Sequence, residues 1–130
     1  MTDDLYERGL EIRRAVVGTE YVERSLAEAD DFTRPLQDLV TRYCWGDVWS
    51  RPGLERRERS MINLSMIAAL NRPHELKLHV RGAINNGLTQ DEIREILLQV
   101  AIYAGVPASL DSFRVAKEVF AEMKAKGEMD

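Results

Sequence analysis

Between Leu54 and Leu70 the chain passes from charged turns into MINLSMIAAL, a run that is apolar on almost every face of a helix. A helix of that kind must be covered on all sides. A chain of 130 residues has little room to do so within one copy, so the run predicts a buried helix whose covering is completed by a subunit interface.

The rest of the chain repeats the helical period. Residues 3–16 place Leu5, Ile12, Ala15 and Val16 at near-helical spacing until Gly18, which predicts an amphipathic helix and then a turn. A short helix is expected over about 20–29. Phe32, Leu36, Leu39, Val40 and Tyr43 then recur as a stripe that ends near Gly46. The segment WGDVWSRPGL reads as a loop with a turn at Pro52-Gly53. Pro73 suits the first position of a helix through HELKLHVRGAINNG that stops at Gly87. Thr89-Gln90-Asp91-Glu92 has the form of a capping box, and Ile93, Ile96, Leu97, Val100, Ala101 and Ala104 follow at helical spacing. Gly105-Val106-Pro107 interrupts before a last helix carrying Phe113, Ala116, Phe120 and Met123. No strand alternation or repeat is present, so the chain reads as one all-α domain of about six helices over residues 1–130.

Several classes of function are disfavoured. The longest apolar stretch, Ile96 to Val106, is too short to span a bilayer, and the start is acidic where a signal peptide would be basic, which reads as soluble and cytoplasmic with no membrane partner. Cys44 is the only cysteine, so no internal disulfide, redox pair or cysteine-based metal site is available; it reads as a small buried residue. The net charge is −4, yet residues 51–82 carry seven Lys/Arg against three Glu. An island of arginines in an acidic chain fits a small carboxylate better than nucleic acid, which asks for a continuous basic stripe.

The polar residues of that island are spaced for chemistry. His74 and His79 are five apart, about 500° of helix, so their rings diverge and a zinc helix is not expected. Glu75 and His79 are four apart and share a face, where a carboxylate can orient an imidazole and raise its pKa toward that of a general acid. Arg72 lies one turn before Glu75, and Arg81 half a turn beyond His79. Gln99 and Tyr103 are i, i+4 on the next helix; Gln99 reads either as a buried helix or subunit hydrogen bond or as a contact to a ligand oxygen. Trp45 and Trp49 read either as a flap or subunit contact or as pocket walls.

The strings WGDVWSRPGL, ELKLHVRGAINNG and EILLQVAIYAGVP closely resemble the carboxymuconolactone decarboxylases of the protocatechuate branch of the β-ketoadipate pathway, over roughly residues 8–122. The resemblance implies an alkylhydroperoxidase-D-like helical bundle assembled as a homo-oligomer, a hexamer or trimer. Aligned by His79, the positions of the peroxidase relatives' two cysteines hold Arg72 and Glu75, and that of their glutamate holds Ser60; the thiol chemistry is absent. Ala104 stands where the decarboxylases often carry cysteine.

The implied reaction removes CO2 from a lactone carboxylate without metal or organic cofactor. It needs cations for the substrate carboxylates, donors for the developing oxyanion and a proton for the ring carbon. The expectation is that Arg51, Arg81 and Arg72 bind carboxylates, that His79 is the acid with Glu75 orienting it, that Trp45, Trp49 and Tyr103 wall the pocket, and that Gln99 contacts substrate. Two alternatives remain: a decarboxylase or isomerase of another lactone or β-keto acid, and a catalytically silent oligomeric acid-binding module.

Overall fold

The computed structural model describes residues 3–130. Among them there is no strand; seven α-helices and one π-helical stretch make up the regular structure. The chain divides into two compact units, Met1–Glu55 and Arg56–Asp130.

In the first unit α1 (Asp4–Val17) begins where the Asp3 carboxylate accepts the Tyr6 N–H at 3.0 Å, with Asp4 and Glu7 in the first turn, where the helix dipole favours negative charge. Gly18, at φ 98°, ends it and leads directly into α2 (Thr19–Glu28). α3 (Arg34–Leu39) has Pro35 in its first turn and runs on into the π-helical stretch Val40–Val48.

Gly46 does not stop this helix, contrary to the sequence expectation. It lies buried inside the π-helical stretch, and a methyl group there would fall on the Leu5 carbonyl oxygen of α1. A methyl on Gly9 would likewise fall on the Thr41 carbonyl oxygen. The two glycines let the helix backbones touch, and that contact outweighs the helix-weakening tendency of glycine. Buried Arg13 crosses the same contact and donates to the Thr41 hydroxyl at 3.2 Å. The expected loop therefore shrinks to the turn after Val48, with Pro52-Gly53 within it.

The stripe at Phe32, Leu36, Leu39 and Tyr43 is also turned outward. Phe32 precedes α3 and is 92% exposed, and the other three are more than half exposed, whereas Thr41, Trp45 and Gly46 are buried. The inward face is the one that can accept α1, and it needs small residues more than apolar ones. Cys44, expected as buried, is exposed.

In the second unit α4 (Arg56–Ala69), α5 (Pro73–Asn85), α6 (Gln90–Tyr103) and α7 (Val106–Ala125) surround one core. Leu64 and Ala68 of α4 meet Leu76, Val80 and Ala83 of α5, Ile93, Leu97 and Val100 of α6, and Ala116, Val119 and Met123 of α7. The capping box of α6 forms as expected, with Thr89 accepting from the Glu92 N–H and Glu92 from the Thr89 N–H. Arg57 of α4 pairs with both oxygens of that same Glu92 and donates to the Gly87 carbonyl, tying α4 to the start of α6. The apolar run of α4 is covered on one side only: Leu64 and Ala68 are buried, and Ile62, Met66 and Leu70 are exposed. Among the described residues no helix is long and apolar enough to cross a membrane.

The close approach of α1 is testable. Gly46→Ala should cost about 1–3 kcal/mol in urea unfolding because the backbones must separate. Gly53→Ala, with nothing within 4 Å of the added methyl, should change stability by less than about 1 kcal/mol. Equal effects at the two positions would refute the packing argument.

Candidate active site

Pro73 at the first turn fixes the start of α5, and from there the 3.6-residue period sets which side each polar residue takes. Leu76, Val80 and Ala83 are buried in the core, so the residues between them face the flanking helices. His79 is turned toward α4, with its Nδ1 3.5 Å from the side-chain nitrogen of Asn63. Lys77 and Arg81 are turned toward α7. Lys77 pairs with Glu122 at 3.1 Å and Glu118 at 3.6 Å; Arg81 pairs with Glu128 at 2.6 Å and Glu122 at 3.8 Å.

Of the expected residues on α5, the structure sets Glu75 and His79 in one electrostatic environment and turns Arg81 away from them. Two residues of helix are about 200° of rotation, so His79 and Arg81 cannot share a face. Arg72 caps the start of α5 through its backbone and is exposed. Glu75 is exposed as well.

The expected rise in the His79 pKa is overturned. Burial pushes the imidazole below its usual 6.5, and the negative charge of Glu75 offsets this only in part. Because Glu75 is exposed, water weakens its pull, while the half-buried ring has lost solvation for its charged form.

Gln99 and Tyr103 share a face of α6 as their spacing requires, but that face is open. Gln99 is exposed where a buried amide was expected, and Tyr103 is 85% exposed. Their neighbour Ile102 is exposed too, so this side of α6 is an uncovered apolar surface rather than a pocket wall within the chain.

Trp45, Trp49 and Arg51 belong to the first unit. The two indoles are buried, with ring centres 4.8 Å apart and planes tilted by 31°, within the distance range at which aromatic pairs attract. Arg51 follows in the exposed turn. No group of three or more His, Cys, Asp or Glu among the described residues could hold a metal ion.

Two features escaped the sequence reading. Asn63 meets His79, and Asn86 donates to the buried Ser60 hydroxyl at 2.8 Å, a second polar contact between α4 and the end of α5. The signal was an amide within an otherwise apolar run.

The lowered His79 pKa carries a stability consequence. As pH falls, the unfolded chain takes up the imidazole proton first, so stability contributed by the neutral ring is present above about 6.5 and declines below it. In NMR titration the folded ring should titrate below 6.5. The melting temperature should fall between about pH 7 and pH 5.5 more in the native chain than in His79→Gln. Titration at or above 6.5 would overturn the assignment of burial as the dominant cause.

The profile of the carboxymuconolactone decarboxylase family matches residues 34–118. The chain is 44% identical over 118 residues to the 4-carboxymuconolactone decarboxylase of Acinetobacter baylyi, covering 91% of this chain and 88% of that protein. It is 46% identical over 124 residues to nitrosuccinic acid decarboxylase npaB of Metarhizium robertsii, covering 95% of this chain and 87% of that one. With a family match across most of its length and two relatives of this similarity, the chain belongs to the carboxymuconolactone decarboxylase family.

Proposed function

We propose that this chain decarboxylates 4-carboxymuconolactone to β-ketoadipate enol-lactone in protocatechuate catabolism, without a cofactor, as a cytoplasmic homo-oligomer in which residues 1–130 form one functional domain. The observation that carries this reading is the identity to the Acinetobacter baylyi decarboxylase over 91% of the chain. The family match, which runs from the first unit into the second, supports one functional domain.

In this reaction the bond from the ring carbon to the departing carboxylate breaks and CO2 leaves. The electron pair passes through the ring double bond onto the lactone carbonyl oxygen, and a proton closes the dienolate at the ring carbon beside that carbonyl. The protein therefore serves two demands, charge on an oxygen and a proton for a carbon. His79 is the proposed source of both. Its ring rests neutral because burial disfavours the charge, and a bound dianionic substrate supplies the nearby negative charge that favours its protonated form. Glu75 adds to that attraction.

Arg51 and Arg72 are the proposed carboxylate binders. Arg81 could join them only by exchanging Glu122 and Glu128 for substrate. Trp45 and Trp49 exclude water, with Gln99 and Tyr103 contributing from the open face of α6. Assembly is supported by the exposed apolar residues Ile62 and Met66 on α4, Leu70 just after it, and Leu98 and Ile102 on α6.

A second reading rests on the similarity to nitrosuccinic acid decarboxylase. A carbon bearing a nitro group can also accept the electron pair left by CO2, so the same demand for oxyanion stabilisation applies to a nitro dicarboxylate.

The test is CO2 release by chelator-treated protein from each acid in turn. Turnover of the lactone, with a kcat loss of about 10²–10⁴ in folded His79→Gln, is the expected result. Faster turnover of nitrosuccinic acid favours the second reading, and binding without CO2 release would replace both with an acid-binding module. Sedimentation equilibrium should give a trimer or hexamer; a monomer would refute the assembly.

A further inference from the structure

The contact between α4 and His79 is unassigned in the chemistry above. Asn63 stands in the apolar run of α4, one turn beyond buried Ser60 and adjacent in sequence to buried Leu64. An amide in such a position costs stability unless its polar atoms are paired. Here its side-chain nitrogen faces Nδ1 of His79 at 3.5 Å. That is the long end of the hydrogen-bonding range, as is common for catalytic contacts before substrate tightens them. The neighbouring bond from Asn86 to Ser60 joins the same two elements and limits their sliding, so the imidazole and the amide are held in register.

We propose that Asn63 is a positioning residue that donates from its side-chain amide to Nδ1 of His79, fixing the resting ring as the tautomer with its proton on Nε2 and making Nε2–H the group that meets substrate.

This rests on the reading of His79 as the working imidazole, and it adds a direction to that reading. A neutral imidazole has one donor nitrogen and one acceptor nitrogen, and the partner of one decides the role of the other. A carboxylate at position 63 would hold a proton on Nδ1 and favour the charged ring. An amide nitrogen does neither: it asks Nδ1 to be an acceptor and leaves the ring uncharged. When substrate binding charges the ring, the amide can turn to present its oxygen to Nδ1–H, so one side chain accommodates both states. Among the described residues Glu75 supplies charge near the ring from its own helix, whereas Asn63 supplies direction from the facing one.

The experiment is 15N NMR of the histidine rings in the full-length protein above pH 7, comparing the native chain with Asn63→Leu and Asn63→Asp, and using His74→Gln to assign the other histidine. The expected result is an unprotonated, hydrogen-bonded Nδ1 and a protonated Nε2 in the native chain, a mixture in Asn63→Leu, and the proton transferred to Nδ1 in Asn63→Asp. On whichever acid the native protein decarboxylates, Asn63→Leu should lower kcat by roughly 10- to 100-fold, the magnitude known for losing the outer partner that orients a metal-bound imidazole and taken here as the scale for a proton-transferring one, with little change in KM. A native ring carrying its proton on Nδ1, or an Asn63→Leu variant with unchanged tautomer and kcat, would overturn the proposal. If Asn63→Leu does not fold, the native spectrum and Asn63→Asp still decide the matter. If the native protein turns over neither acid, the decarboxylase reading fails while the spectra still decide the tautomer.

Discussion

The burial of Leu76, Val80 and Ala83 sets the rotation of α5, and the arrangement of the polar residues follows from it. All three are within 1% of complete burial, and burying side chains of the Leu and Val type contributes about 1.5–3 kcal/mol each. Turning the helix by one residue, about 100°, would lose most of that. With the rotation fixed, His79 meets α4 while Lys77 and Arg81 meet carboxylates of α7 and of the segment that follows it. A packing requirement thus sorts one basic stretch of sequence into an imidazole side and a cation side.

What could be read in the sequence was whatever local chemistry decides. The Thr89–Glu92 capping box and the helix it opens are legible because both partners lie within one turn, and Pro73 likewise marks the start of α5. Gly46 was misread because its role depends on Leu5, far away in the chain. The stripe from Phe32 to Tyr43 gave the right period and the wrong side, since periodicity fixes a face but not what that face meets. At the candidate site, the i, i+4 relation of Glu75 and His79 was legible. The direction of the pKa shift was not, because desolvation is set by tertiary packing, and Asn63 was passed over because an amide within an apolar run carries no mark of its partner.

The π-helical stretch in the first unit shows a related conflict between local preference and packing. Such stretches are rarely long and frequently lie at functional sites. Here the stretch spans Val40–Val48 and carries buried Trp45, whose partner Trp49 follows directly after the stretch, Thr41 beneath Arg13, and the glycine that admits α1. The backbone gives up regular α geometry where it gains close contact. The same nine residues leave Tyr43, Cys44 and Val48 exposed, so the helix presents one tightly filled side and one open side.

The ion pairs of the second unit bear on how a charged molecule would approach it. The sequence between residues 51 and 82 has a marked excess of positive charge, but in the folded chain Arg57 is matched by Glu92, and Lys77 and Arg81 by Glu118, Glu122 and Glu128. Paired charges project little field beyond a Debye length, about 8 Å at physiological ionic strength. An anion in solution therefore senses much less of the basic island than the sequence advertises. Its capture depends on touching the right residues rather than on being drawn in from afar, because the chain as a whole carries a net charge of −4 and offers an anion no long-range attraction.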